Sequence, residues 1–193
     1  MDITQAKVIL GELFSFIFND ADKLIKYLKL PENSKMLDVG TGMGYFAVLL
    51  ALNGYTVLTG EPESDNSIYA KRDWLDNAKK VGVDHLIKFR AFDAQDMPFD
   101  DNTFDVIFFF GVLHHINENS REKALHESVR TSQNNAVICF IEPNQNGMKM
   151  VKKHHPSHPE AADPSKYIKG LNLSLEKKKG EFFDSFILRK GCI

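Results

Sequence analysis

The stretch MLDVGTGMGYF, Met36–Phe46, decides the fold that we expect for this chain. A short apolar run contains Asp38, three glycines follow at every second position, and an apolar run resumes at Tyr45. Glycines arranged in this way let a backbone approach a ligand closely. A strand, a glycine loop and a helix in this order are a common way to hold a nucleotide-like ligand.

Strand-like apolar runs alternate with helical patterns on both sides of this loop. The run FDVIFFF, residues 104–110, is nearly all apolar, as expected for a strand of a parallel sheet that is covered on both faces. This alternation predicts a parallel sheet with helices on both sides. Residues 143–170 predict a loop with one or two short helices, and residues 171–193 predict two strands joined by a turn at the lysines and Gly180.

Helical patterns lie outside this alternation as well. Two N-terminal helices are predicted, over residues 4–18 and 21–30, with Asn19 or Asp20 as the cap between them. A further helix is predicted over residues 65–81. The apolar residues at helical spacing on these helices are Ile9, Leu13, Phe16 and Ile17 on the first, and Ile68, Trp74 or Leu75, and Ala78 on the last.

The bulk composition predicts one soluble domain in the cytoplasm. The chain has 193 residues and a formal net charge of −2, which gives no general reason to expect nucleic acid as a partner. No apolar run approaches the roughly 18 residues that cross a bilayer, and the N-terminus lacks the pattern of an export signal. Of only two cysteines, Cys139 and Cys192, the first lies in an apolar run and is predicted to be a buried free thiol.

The glycine spacing narrows the choice of ligand. Dinucleotide loops typically read G-x-G-x-x-G, but here the third glycine comes one residue early and Tyr45 stands where that pattern has glycine. The chain also lacks the G-x-x-x-x-G-K-[ST] loop that cradles a nucleoside triphosphate. The loop therefore favours a ligand with a small zwitterionic tail, such as an amino acid, over a pyrophosphate.

Together with downstream motifs, the loop resembles class I S-adenosylmethionine-dependent methyltransferases, in the small-molecule branch that includes the quinone-biosynthesis enzymes. The resemblance extends from about Ser34 to Glu142 through LDVGTGMGYFAVLLA, VLTGEP and FRAFDAQDMPFDDNTFDVIFFFGVLHHI. It implies an α/β, Rossmann-like sheet of seven mostly parallel strands, with helices on both faces and a C-terminal antiparallel hairpin. It also implies a single methyltransferase domain over residues 1–193. Its parts are N-terminal helices 1–31 as a candidate lid, a cofactor-binding core 34–142 and a strand pair 171–193.

The resemblance assigns roles around the cofactor. Glycines of the loop would bring the backbone close to the methionine portion, Asp38 would support the loop, and Glu61 would bind the two ribose hydroxyls. Pro62 would pack on an edge of the adenine, Asp93 would accept from its amino group, and the Ala94 amide would lie near the ring. The remaining implied cofactor-binding residues are Gly40, Thr41, Gly42 and Gly44 in the loop, and Phe110 and Gly111 beside the sulfonium.

Several of these residues have a structural alternative. Asp38 could simply cap the loop, and Phe110 could belong to the core. Glu61 has other acids nearby and could be an ordinary turn residue. The rivals for the two acidic roles are Glu63 and Asp65 for Glu61, and Asp96, Asp100 and Asp101 for Asp93.

Histidines supply the candidates for chemistry beyond the cofactor. His114 and His115 follow the fourth strand, where an acceptor would meet the methyl group, and could act as base or substrate contact or could only orient the next segment. The stretch KKHHPSHP contains three more, but its prolines prevent a regular ligating face, so no metal site is predicted there. It is expected to be a solvated loop, or a cationic loop that attracts an anionic acceptor. The residues of this loop in question are His154, His155 and His158, with Lys149, Lys152 and Lys153.

The function predicted from sequence is methyl transfer from S-adenosylmethionine to a small-molecule acceptor. The alternatives are a protein or RNA methyltransferase and a non-catalytic S-adenosylmethionine-binding protein. The net acidic charge argues against RNA. The short segment between the fifth strand and the final hairpin leaves room for a second copy of the chain as a partner at the site.

Overall fold

The structure is a computed structural model that describes residues 2–68, 70 and 73–190. The chain divides into two compact units, Met1–Asp93 and Ala94–Ile193. Among the residues that the structure describes, no helix is long and apolar enough to cross a membrane.

The first unit contains three parallel strands in the order β3-β2-β1. All four residues of β1 are buried, and the short helix α2 buries six of its eight residues, as its unbroken apolar sequence predicts. The elements of this unit are α1 (Ile3–Leu28), β1 (Met36–Val39), α2 (Tyr45–Leu52), β2 (Val57–Gly60), α3 (Trp74–Lys80) and β3 (Ile87–Phe89).

The N-terminal helices do not divide where the sequence predicts. Residues 19 and 20 are helical, so the predicted cap there is wrong, and the backbone instead leaves the helical region at Gly11, with φ 82° and ψ −166°. This break shifts the helical phase. Ile9 and Leu13, which were expected on the apolar face, are 43% and 52% exposed, while Phe14 has no exposed surface.

Helix α3 is shorter than the predicted helix over 65–81. Its first residue is Trp74, because Asp73 before it has a left-handed backbone conformation, with φ 51°. Ile68 is exposed in a segment of turns and bends, and residues 69, 71 and 72 lie outside the described part of the chain.

The second unit contains four strands in the order β4-β5-β7-β6, of which β4 and β5 are parallel and the other pairings antiparallel. Its core is aromatic, with Phe109 and Phe140 stacked at 4.5 Å between ring centroids. Cys139 is buried and free as predicted, whereas Cys192 lies outside the described residues. The elements are β4 (Phe104–Phe110), α4 (Glu118–Thr131), β5 (Ser132–Pro143), α5 (Gln145–His154), β6 (Leu173–Lys178) and β7 (Phe183–Lys190).

These seven strands confirm the predicted fold class, a mostly parallel Rossmann-like sheet that ends in an antiparallel hairpin. The segment 143–170 holds α5 and a 3₁₀ turn over Pro164–Tyr167, as its sequence suggests. Organisation of residues 1–193 as a single methyltransferase domain stays a prediction.

Candidate functional site

The glycine loop between β1 and α2 is held by backbone hydrogen bonds within the first unit. The Gly40 amide donates to the Gly60 carbonyl at 2.7 Å, and the Gly44 amide donates to the Thr41 carbonyl at 2.7 Å. Gly44 has φ 72°, and a Cβ built on it would lie 2.7 Å from the Cβ of Trp74. Only glycine satisfies both constraints, so the loop closes tightly over the start of α2.

Gly42 and Glu61 connect the loop to the end of the neighbouring strand. The Gly42 amide donates to Glu61 Oε2 at 2.9 Å, and Gly42 has φ 49°. Glu61 follows the last residue of β2 and is only 5% exposed. The carboxylate predicted to bind the ribose therefore lies directly against the loop predicted to bind the methionine portion.

Asp38 ends a short chain of buried hydrogen bonds beneath the loop. Thr59 donates its hydroxyl hydrogen to Asp38 Oδ2 at 2.8 Å, so Thr41, 2.9 Å from the Thr59 oxygen, donates to Thr59. The other carboxylate oxygen, Oδ1, is buried without a hydrogen-bond partner among the described residues. Burial raises the pKa of Asp38 to about 7, although the Thr59 hydrogen bond opposes that shift.

Asp38 should make folding stability depend on pH. Because its pKa is higher in the folded chain than in the unfolded chain, the folded state holds the extra proton between about pH 4 and 7, and stability falls as pH rises through that range. We expect the free energy of unfolding of Asp38→Asn, relative to wild type, to increase between about pH 4 and 7 in urea titrations. A difference that stays constant with pH would contradict this assignment.

The remaining predicted cofactor-binding residues divide between the two units. Pro62 is half-buried after β2, and Asp93 is exposed at the end of the first unit. In the second unit Ala94 is buried, and the half-buried Phe110 packs against Phe183 with ring centroids 4.9 Å apart. Gly111 follows β4, with its amide donating to a β5 carbonyl at 2.8 Å. The roles of these residues toward the cofactor stay predictions.

His114 is anchored by a buried carboxylate that the sequence analysis missed. His114 Nδ1 lies 2.6 Å from Glu142 Oε2. Glu142 also accepts from the Leu113 amide at 3.0 Å and from the Ala162 amide at 3.2 Å, and it is 2% exposed. An acid that ends an apolar strand is the only signal in the sequence that could have identified it.

A third histidine joins this pair from the segment that the sequence predicts to be a solvated loop. That prediction is wrong for His158, which is buried, although His154 and His155 are exposed. The rings of His114, His115 and His158 form a triangle with centroids 4.3, 5.0 and 5.0 Å apart. Burial lowers the pKa of His158, which favours its neutral form.

The lysines of this segment border a groove of about 540 Å³ beside the start of α5. Lys149 and Lys152 line it, together with Met148. Lys152 pairs with Glu160 across the groove, so part of the positive charge expected to attract an anionic acceptor is balanced within the chain.

Comparison with known proteins identifies the family. Residues 37–140, more than half of the chain, match the family described as methyltransferase domain. The chain belongs to this family. The predicted S-adenosylmethionine-dependent methyltransferase family is thereby confirmed, with S-adenosylmethionine as its cofactor, and assignment to the quinone-biosynthesis branch stays a prediction.

Relatives of this methyltransferase-domain chain include enzymes with unlike acceptors. It is 32% identical over 95 residues to 27-O-demethylrifamycin SV methyltransferase of Amycolatopsis mediterranei, covering 49% of this chain and 34% of that protein. It is 35% identical over 86 residues to sterol 4-C-methyltransferase strm-1 of Caenorhabditis elegans, covering 42% and 23%. Norajmaline N-methyltransferase of Rauvolfia serpentina is 27% identical over 134 residues, covering 66% and 39%. The chain thus spans about a quarter to two fifths of these relatives.

Solved structures of similar fold extend over nearly the whole chain. A SAM-dependent methyltransferase from Aquifex aeolicus has a TM-score of 0.66 at 18% identity, covering 97% of this chain and 98% of that chain. The PH0226 protein from Pyrococcus horikoshii has a TM-score of 0.71 at 18% identity, covering 94% and 92%. At these identities the likeness shows the fold alone.

Proposed function

We propose that this chain transfers a methyl group from S-adenosylmethionine to a small-molecule acceptor. The observation that carries the proposal is the hydrogen bond from the Gly42 amide to Glu61, which joins the glycine loop to the acid at the end of β2. A loop that follows a strand and precedes a helix, with an acid about 20 residues further on, is an arrangement that holds a nucleoside-like ligand.

The residues of the loop suit an amino-acid tail. A buried carboxylate oxygen without a partner among the described residues, Asp38 Oδ1, lies beneath the loop and suits a donor such as an ammonium. Glu61 would accept hydrogen bonds from the ribose hydroxyls. The bound cofactor would supply a methyl group on a sulfonium, and the chain's own part is to position the acceptor and exclude water.

We propose that the acceptor presents apolar surface. Three large apolar side chains on either side of the break in α1 are exposed, among them Val8 at 82%. The Tyr45 hydroxyl at the start of α2 donates to the Leu10 carbonyl at 3.4 Å, which ties this region to the glycine loop. Phe14 and Phe18, which belong to the N-terminal helices expected to form a lid, are buried instead. The exposed side chains are Val8, Ile9 and Leu13.

Glu61→Ala tests the cofactor part of this proposal. The substitution removes the acceptor of the Gly42 amide and of the ribose hydroxyls, so we expect the affinity for S-adenosylhomocysteine, measured by calorimetry, to fall about 10–100-fold. Glu63→Ala, an exposed acid two residues away, is the matched control and should bind normally. Equal losses of affinity in both variants would mean that Glu61 contributes only its negative charge and not specific hydrogen bonds.

Transfer itself is tested with S-adenosylmethionine labelled in its methyl group, incubated with the chain and a metabolite extract. We expect label in the small-molecule fraction, and none when Gly42→Val replaces the wild-type chain. Label in protein or RNA would support the macromolecular alternative instead.

A second candidate, cofactor binding without methyl transfer, is favoured by one comparison. The chain has a TM-score of 0.54 with the [4+2]-cyclase SpnF, at 22% identity, covering 63% of this chain and 43% of that chain. A protein of similar fold thus has a different named activity. Cofactor binding with no label transferred to any fraction would support this second candidate.

A further inference from the structure

We propose that His114, His115 and His158 bind one divalent transition-metal ion of the zinc type. Each can offer one ring nitrogen, and these three nitrogens all lie within 4.8 Å of one another. Ligand nitrogens around a tetrahedral zinc ion are about 3.3 Å apart, for Zn–N bonds of about 2.0–2.1 Å. Modest side-chain rotation would bring the three nitrogens to that separation.

Hydrogen bonds at the Nδ1 atoms of two rings indicate which nitrogen could bind the ion. His114 Nδ1 faces a carboxylate oxygen of Glu142, and His158 Nδ1 lies 3.0 Å from the Pro159 carbonyl oxygen. Both oxygens only accept, so each neutral ring carries its hydrogen on Nδ1 and its lone pair on Nε2. Metal-binding histidines have this same arrangement, with the second nitrogen donating to a carboxylate or a backbone carbonyl.

His114 provides an independent observation that points to a ligand. Its Nε2 is buried and has no hydrogen-bond partner among the described residues. Leaving a buried polar atom without a partner destabilises the fold, so such atoms are rare in folded chains. A metal ion on Nε2 would satisfy this atom.

The elements that present the three rings are held firmly in the second unit. Glu142 is fixed by the Leu113 and Ala162 amides as well as by His114. The Arg121 guanidinium donates to the His114 carbonyl at 3.4 Å and to the Tyr167 hydroxyl at 3.1 Å. These bonds hold the backbone of the turn that follows β4 and of the segment at Ala162, four residues after His158, so that only the side chains need to rotate.

Three histidines leave one position of a tetrahedral ion open, which is typical of zinc sites that bind water or a substrate. His115 is exposed, and the turn that carries it follows the carboxyl end of β4, where ligands of open α/β sheets bind. An oxygen, nitrogen or sulfur atom of the methyl acceptor could occupy the open position. That role rests on the proposed function, whereas metal binding itself does not.

The site is tested on the untagged 193-residue chain after treatment with a chelator. Zn²⁺ should bind at one ion per chain in competition with a coloured chelator. Co²⁺ as a probe should give the intense visible absorption of a four-coordinate ion, not the weak absorption of a six-coordinate one.

Variants of single histidines separate this cluster from the rest of the chain. We expect His115→Ala, at an exposed position that leaves folding intact, and His158→Gln each to weaken Zn²⁺ binding by at least about 100-fold. His154 is exposed and lies four residues from His158, and His154→Gln should leave Zn²⁺ affinity unchanged. No bound Zn²⁺, or the same affinity in His115→Ala as in wild type, would overturn the proposal.

Glu142→Gln tests the positioning role of the carboxylate, with an expected loss of about 10–100-fold in Zn²⁺ affinity and a shifted Co²⁺ spectrum. All of these measurements are made without S-adenosylmethionine. Failure to bind metal would therefore leave the proposed function intact, and failure to bind the cofactor would leave the metal site intact.

Discussion

Gly42→Val is expected to lower the affinity of the chain for S-adenosylmethionine by at least about 100-fold, which is a loss of about 2.7 kcal/mol. Gly42 has φ 49°, a backbone conformation that costs a residue with a side chain about 1–2 kcal/mol and a β-branched residue more. The new side chain would also prevent the close backbone approach that the loop offers. Calorimetric titration with S-adenosylhomocysteine measures the effect.

The matched control is Gly54→Val. Gly54 also has a positive φ, 90°, but an added Cβ would meet no atom within 4 Å, and the residue lies after the far end of α2. Gly54→Val should lower the free energy of unfolding about as much as Gly42→Val does. It should leave cofactor affinity within about threefold of wild type. Equal loss of affinity in both variants would show that backbone strain, and not the site, explains the first result.

Glu142→Ala is expected to destabilise the chain by about 3–5 kcal/mol, measured by urea denaturation. The substitution leaves three buried donors without their acceptor: the ring of His114 and the amides of Leu113 and Ala162. Each buried donor that is left without an acceptor costs about 1–3 kcal/mol. Water can replace little of this loss because Glu142 is buried at the end of β5.

Glu127→Ala is the matched control for this effect. Glu127 also accepts from a backbone amide, that of Met97 at 2.8 Å, and pairs with Arg130 at 2.7 Å, but its side chain is 17% exposed. Water can replace part of those bonds, so the expected cost is about 1–2 kcal/mol. A loss in Glu142→Ala no larger than in Glu127→Ala would contradict the importance of the buried carboxylate.

Predictions of secondary structure from the sequence are confirmed where the local hydrophobic pattern agrees with the burial of the residues. FDVIFFF forms β4 over its full length because a nearly all apolar run suits a strand covered on both faces. The loop glycines were identified by spacing alone, and all three have positive φ. In each case residues close in sequence determine the outcome.

Predictions failed where the backbone conformation of one residue, or a distant contact, decides. Gly11 interrupts α1 and Asp73 delays α3, and neither event is visible in hydrophobic spacing. His158 belongs to a proline-rich stretch that looks solvated, but it packs on two rings more than 40 positions earlier in the chain. Glu142 is hydrogen-bonded to residues 113, 114 and 162, and no local sequence pattern reveals these distant contacts.

The central claim is that the glycine loop and Glu61 hold S-adenosylmethionine. Calorimetric titration of the 193-residue chain with S-adenosylhomocysteine tests it most directly, because binding is measured without knowledge of the acceptor. We predict one binding site per chain, with a dissociation constant on the order of micromolar, or about −8 kcal/mol. No binding of either S-adenosylhomocysteine or S-adenosylmethionine by the folded chain would contradict the claim.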